Sequence, residues 1–97
     1  MLGPNPVGFW SSRSRQARWP LELDRVYRVK RPFVDFDGHQ HPIGETWQFL
    51  GSAFLPYDDG LSLFVRHSGG EWHIRLQLSQ PQQAAVWENF SDHVEAA

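Results

Sequence analysis

Residues Gly44 to Val65 read GETWQFLGSAFLPYDDGLSLFV, two aromatic-rich apolar runs on either side of one tight turn. Runs of this kind, bounded by turn-forming residues, are the mark of a β-hairpin with one buried face. Trp47 and Phe49 share a face of the first run, and Gly51 gives that strand a place to bulge or bend. In Pro56-Tyr57-Asp58-Asp59-Gly60, proline fixes φ, the aspartates bond nearby N–H groups and the glycine accepts positive φ, so the chain reverses there. Leu61, Leu63 and Val65 then alternate with Ser62, Phe64 and Arg66. The polar residues of this hairpin are those a turn requires, which argues for a compact β-rich domain and not for a particular chemistry.

Upstream, VYRVKRPFV from Val26 to Val34 puts Tyr27, Val29 and Phe33 on one face and Arg28 and Lys30 on the other. That is the alternation of a strand, with Pro32 marking its edge or end. Downstream of Ser68-Gly69-Gly70, Trp72, Ile74, Leu76 and Leu78 alternate with His73, Arg75 and Gln77, the cleanest two-residue period in the chain. At Ser79 the period changes. Ser79 and Gln82 have the spacing of a capping box and Pro81 suits a first helical turn. Val86, Phe90 and Val94 recur every four residues with Trp87 beside them, which predicts a helix over residues 80–95. Four antiparallel strands, bent at Gly51 and followed by one helix, predict a mainly β (α+β) domain over residues 21–97. It is either a small SH3-like barrel or a strongly curved antiparallel sheet with a C-terminal helix. Residues 1–20, rich in Pro, Gly, Ser and Arg without apolar periodicity, read as a flexible leader whose Phe9, Trp10 and Trp19 are available for local docking.

Composition narrows the function classes. A single domain of 97 residues has little stability to spare, so five Trp, seven Phe and two Tyr must supply the core. The absence of Cys removes disulfides, thiolate metal sites and cysteine nucleophiles. The net charge of −2 conceals an asymmetry, because Arg13, Arg15 and Arg18 precede the first acidic residue, Glu22, and the remainder carries six basic against eleven acidic side chains. Three arginines so placed fall short of a nucleic-acid arm and read as a solvated basic tail. Pro4, Pro6, Ser11, Ser12 and Arg13 interrupt the N-terminal segment. No apolar run approaches the ~20 residues that cross a bilayer, so the expectation is a soluble, cytoplasmic protein without membrane contact.

The segment Asp35 to Gly44, DFDGHQHPIG, has Asp, Gly and Pro at turn-forming spacing and reads as a long loop, hence a candidate binding element. His39 and His41 lie two apart beside Asp35 and Asp37, a spacing that directs both imidazoles to one side. Such spacing is common in polar loops, and no third His or Cys is close in sequence, so a zinc site would need His67 or His73 to approach in space. Asp35-x-Asp37-Gly38 also opens like a calcium loop, but the Glu that closes one would fall at Thr46. Asp58 and Asp59 are explained by turn chemistry better than as an acid–base pair. With no phosphate loop, nucleophile elbow or triad, the chain reads as a non-enzyme with no cofactor and no metal.

Several phrases taken together resemble an uncharacterised family of small bacterial domains of unknown function. They are RVYRVKRPFVDFDG, GETWQFLGSAFLPYDDGLSLFV, EWHIRLQL and the closing segment with Trp87, Glu88, Asn89 and Phe90. The resemblance runs from about Asp24 to Val94 and rests on F-x-D-F-D-G, G-E-x-W and F-L-P-Y-D-D-G-L occurring in order. It implies a self-contained bacterial domain and brings no catalytic residues with it. The expectation is therefore a protein-binding or accessory domain, of regulator or immunity type, acting through acidic loops. Its partner-binding residues would be Asp35, Asp37, His39, His41, Asp58 and Asp59. The alternative is a nucleic-acid-binding small barrel that uses a basic strip of Arg28, Lys30, Arg66, His73 and Arg75, with Phe64 exposed for stacking.

Overall fold

The hairpin expected from Gly44 to Val65 forms, and the rest of the sheet assembles around it. In this computed structural model, which describes residues 1–97, ten elements follow one another along the chain. They are β1 (Leu2–Asn5), β2 (Val26–Val29), β3 (Phe33–Val34), β4 (Gln40–His41), β5 (Thr46–Leu55), β6 (Gly60–His67), β7 (Gly70–Gln77), α1 (Pro81–Glu88), α2 (Phe90–His93) and β8 (Val94–Ala96). Six strands make one antiparallel sheet in the order β1-β7-β6-β5-β2-β8, and β3 with β4 makes a separate small hairpin. The edge strands β1 and β8 do not pair with each other, so the strongly curved sheet is the architecture found and the closed barrel is not. No helix is long and apolar enough to cross a membrane.

Local chemistry explains the turns. Phe49 pairs with Val65 but Gly51 pairs with Phe64, so Leu50 is one residue too many on β5 and the strand bulges beside the glycine. Between β6 and β7, Ser68 and Gly69 take φ of 50° and 79° and close a two-residue turn whose hand matches the twist of the strands. The tip between β5 and β6 works differently from the expectation. Positive φ falls on Asp59, at 56°, while Gly60 pairs with Leu55 in the ladder. The Gly60 N–H donates to Asp58 Oδ1 at 3.1 Å, so the aspartates set this turn, and Asp tolerates the left-handed region better than most side chains.

One face of the sheet carries the core. Tyr27, Val29, Trp47, Phe49, Leu61, Leu63, Val65, Ile74 and Leu76 are buried there with Leu21, closed over by Phe33, Phe90 and Val94. The helix expected over 80–95 is divided. After α1 and α2 the chain extends as β8 on the edge of β2, with Val29 opposite Val94, so Val94 reaches the core from a strand. Pairing with a bare strand edge gives these last residues backbone partners that a terminal helical turn lacks. The capping box is absent as well. Gln80 is the N-cap without a side-chain bond, and Ser79 Oγ instead accepts from Gln77 Nε2 at 2.9 Å.

Residues 1–20, read from composition as a leader outside the domain, lie on the sheet. Strand β1 pairs with β7, Leu2 opposite His73 and Asn5 opposite Glu71. The chain then crosses the face of β5, β6 and β7 opposite the core. Trp10 stacks on Phe64 with ring centres 4.1 Å apart and sets its edge against His73. At Gly51 a Cβ would fall 1.4 Å from the Ser14 carbonyl oxygen, so only glycine admits the crossing segment. Ser52 Oγ donates to the Gln16 carbonyl at 2.9 Å on the far side.

Glu71 anchors this strap. It is 0 % exposed. Its Oε1 accepts the Trp10 and Ser11 N–H groups at 2.6 and 3.0 Å, and its Oε2 accepts the Gly8 N–H, the Ser11 hydroxyl and Arg66 Nη2, each at 2.9 Å. Burial alone would raise this carboxyl, but the N–H groups of Gly8 and Ser11, Arg66 and the Trp10 N–H outweigh it and hold the group at about 2. His73, under Trp10 with Nε2 2.7 Å from Ser62 Oγ, is pushed by burial and by Arg75 down to about 4.

Two outcomes follow from this arrangement. Glu71→Ala takes the shared acceptor away from Arg66 and from four half-buried donors of the strap and should cost about 2–4 kcal/mol in urea unfolding. A loss under ~0.5 kcal/mol, the scatter of an ordinary surface substitution, would show that the strap is not anchored there. In an imidazole NMR titration, His73 should stay neutral until the pH approaches 4, well below its ordinary 6.5. Because the unfolded chain binds that proton first, His73 makes stability fall as the pH drops from 6.5 towards 4. The depressed Glu71 carboxyl stabilises above about 4.5, and that contribution is lost as the pH falls towards 2. A His73 midpoint at its ordinary value would mean that Trp10 does not cover it.

Candidate functional site

The segment Asp35 to Gly44 is more ordered than a loop. Asp35 builds it around its own carboxylate: Oδ1 accepts the N–H groups of Asp37 and His39, each at 3.0 Å, and the Asp35 N–H donates to the His39 carbonyl at 3.0 Å. An aspartate bonded two residues ahead mimics a backbone turn, and Gly38 supplies the positive φ of 81° that closes it. The chain therefore returns as a two-rung hairpin, Phe33 opposite His41 and Val34 opposite Gln40. A second turn follows. The Glu45 N–H donates to the Pro42 carbonyl at 3.1 Å, with Gly44 at φ 94° as the third residue.

These two turns converge on His41, which is fully buried under the stacked ring of Phe33, 4.5 Å away. Its Nε2 lies 2.8 Å from Asp35 Oδ2 and its Nδ1 2.5 Å from Glu45 Oε1. Asp35 Oδ2 also accepts the Met1 ammonium at 2.5 Å. Burial would raise the Asp35 carboxyl, yet the bonds from His41, the Met1 ammonium and the His39 N–H hold it at about 2. Burial would likewise lower His41, but its bonds to Asp35 and Glu45 raise it above its ordinary value, which favours an imidazolium held between two carboxylates. His39 remains exposed, its ring edge-on to His41 at 4.8 Å.

The expected partner-binding residues thus separate into three groups. Asp35 and His41 are internal and do not reach a partner. Asp37 is held by a two-pronged bond from Arg75, with Nε 3.0 Å from Oδ2, which lowers its carboxyl pKa. His39, Asp58 and Asp59 stay exposed. The Phe36 N–H donates to the Arg75 carbonyl at 2.8 Å, and this tie draws the small hairpin to the end of β7, beside the β5–β6 tip. There Phe36, Leu55, Asp58, Arg75 and Gln77 line a shallow groove of about 80 Å³. Leu55 is 59 % exposed and Tyr57 fully so. A wider apolar groove of about 590 Å³ runs along the other side of the hairpin, past Phe33, Val34, Pro42 and Ile43.

The basic strip does not assemble. Arg28 pairs with Glu95 at 3.2 Å, Arg66 with Glu71 at 2.9 Å and Arg75 with Asp37. Phe64, expected as an exposed stacking surface, is 3 % exposed beneath Trp10, and His73 is held neutral beside it. Lys30 alone of the six is exposed without an ion-pair partner, and it lies just past the end of β2, away from β6 and β7. The strap was the missing element, because alternation along β6 and β7 states which face is polar but not whether another segment covers it. Glu45 and Glu71 were also missed as site residues. Glu45 had a readable signal, since Pro42 and Gly44 at turn spacing return residue 45 towards His41. Glu71 had none, sharing its parity with His73 and Arg75.

No family model matches the chain, and no curated protein matches it. Among solved structures it is similar to an integron cassette protein from the mobile metagenome of Vibrio cholerae. The TM-score is 0.82 at 28% identity, covering 90% of this chain and 97% of that one. The part left out is smaller than residues 1–20, so some of the N-terminal segment belongs to the shared fold. The likeness is consistent with a small bacterial domain.

Proposed function

We propose that this chain is a non-enzymatic protein-binding or accessory domain of bacterial type, a regulator or immunity-type protein. Its docking surface would be the end of the sheet where Phe36, Leu55 and Tyr57 surround Asp58 and Asp59. The observation that carries the reading is large apolar side chains, Leu55 and Tyr57, standing exposed next to two carboxylates that have no cation partner. An apolar centre with a charged rim is the common anatomy of a protein interface, and tyrosine is among the residues that most often dominate binding energy. The charge selects a basic partner and speeds its encounter. The β5–β6 ladder is paired out to Leu55 and Gly60, and Asp58 fixes the turn through the Gly60 N–H, so little ordering is needed on docking.

The non-enzymatic part of the reading is supported by the buried titratable groups. Asp35 and Glu71 are each engaged by internal partners, which leaves neither of them free to exchange protons with a substrate. Likeness to an integron cassette protein supports the bacterial setting.

Capture of a partner from bacterial lysate on the immobilised full chain, followed by titration of the purified partner, tests the surface. Tyr57→Ala and the double change Asp58→Asn with Asp59→Asn should each weaken binding at least tenfold, while the unfolding midpoint stays unchanged, because Tyr57 is exposed and asparagine keeps both the acceptor for the Gly60 N–H and the tolerance of positive φ at position 59. Equal affinity for all three proteins would sink the assignment. Salt-sensitive retention on polynucleotide instead of a protein would favour the other expectation.

A further inference from the structure

We infer that His39, His41 and Glu45 form a binding site for a divalent transition-metal ion of zinc type, with Asp35 as the carboxylate that orients His41. The inference is independent of the docking surface. One ligand atom from each of His39, His41 and Glu45 lies within 4.8 Å of the others. Two imidazole nitrogens and one carboxylate oxygen suit zinc and its neighbours, and do not suit magnesium or calcium, which take oxygen ligands.

The geometry around His41 argues for a site beyond mere proximity. A histidine that binds a metal through one nitrogen almost always gives its other N–H to a carboxylate, which fixes the tautomer and the ring plane. Asp35 Oδ2 stands 2.8 Å from His41 Nε2 in that role, and the Phe33 ring stacked at 4.5 Å holds the plane from the side. His41 Nδ1 is then directed at Glu45 Oε1, and the 2.5 Å between them holds one shared proton.

Loading is an exchange of that proton for the ion. The His41 Nδ1 proton leaves to solvent, and nitrogen and carboxylate oxygen each bind the metal. Ligand atoms around a tetrahedral zinc stand about 3.3 Å apart, so the His41–Glu45 pair opens by somewhat under an ångström and His39 swings inward. Both movements are local. His39 is exposed and free to rotate, and Glu45 is only partly buried at a turn. The fourth position faces solvent on the His39 side and takes water.

Sequence spacing left this cluster one ligand short, and the two histidines considered to complete it stay elsewhere. His67 Nδ1 lies 2.8 Å from the Thr46 carbonyl, and His73 is under the strap. The carboxylate of Glu45 completes it instead, brought back by the Pro42–Gly44 turn.

Titrating the full chain with zinc chloride by calorimetry, and with cobalt(II) by visible absorption, tests the site. The expected result is one ion per chain, with the intense visible bands of four-coordinate cobalt. His39→Ala, an exposed position that leaves folding intact, and Glu45→Gln should each weaken zinc binding at least tenfold. The double change Asp58→Asn with Asp59→Asn should leave it unaltered. Long-range nitrogen–proton NMR adds a readout that loss of fold does not mimic, because zinc should move the His41 Nδ1 resonance to that of a metal-bound nitrogen while Nε2 keeps its proton towards Asp35. Absence of zinc uptake by the unaltered chain would overturn the assignment, as would uptake insensitive to His39→Ala.

Discussion

A buried carboxylate with every acceptor position filled holds this protein together. Glu71 takes five hydrogen bonds, three from backbone N–H groups of the N-terminal strap, one from the Ser11 hydroxyl and one from Arg66. Removing a charge from water costs several kcal/mol, and such a group is tolerated only where donors replace the lost hydration almost completely. The strap supplies those donors, and so Glu71 and residues 8–11 require one another. Once they are joined, Trp10 comes to rest on Phe64 and Ser14 comes to rest over Gly51. A sheet that would have had one wet face then has two covered faces.

That covering decides which polar and aromatic side chains remain at the surface. Arg66, His73 and Phe64 are spent on holding or accommodating the strap, and Arg75 is engaged by Asp37 at its margin. The large exposed apolar side chains left beside unpaired carboxylates, where we propose docking, are at the ends of the hairpins and not on the strands. Two hairpins meet at one end: β5–β6 contributes Leu55 to Asp59, and β3–β4 contributes Phe36 and Asp37, tied to β7 through the Phe36 N–H. The same small hairpin carries His39 and His41 on its returning arm. Asp35 therefore acts at both places, since its Oδ1 shapes the loop that presents Phe36 while its Oδ2 orients His41.

Strands of eight to ten residues were legible in the sequence because they repeat an alternation long enough to read, as in Leu61 to Val65 and Trp72 to Leu76. The bulge was legible too, because a glycine inside an apolar strand marks a bulge or a close approach of another backbone, and position 51 is both. Shorter elements were not. Two-residue strands at Phe33–Val34 and Gln40–His41 carry no period at all, and their existence depends on the Asp35 carboxylate substituting for backbone partners. The strap resembles a leader by composition because its prolines and glycines serve a crossing path with few regular bonds. Its order comes from Glu71, some sixty residues away along the chain. Tertiary capture of this kind leaves no local trace. Likewise, β8 looked helical by its four-residue spacing, and the unpaired edge of β2 outweighed that preference.

Native-state amide hydrogen exchange of Gly8, Trp10 and Ser11 tests the role of Glu71 most directly. If the carboxylate locks the strap, these three N–H groups exchange as slowly as those of Leu63 and Ile74 in the β6–β7 ladder, opening only when the whole domain unfolds. Exchange at the rate of an unstructured peptide, while the ladder stays protected, would show that the strap is separable from the sheet and that the outer face of β5 to β7 is open to partners.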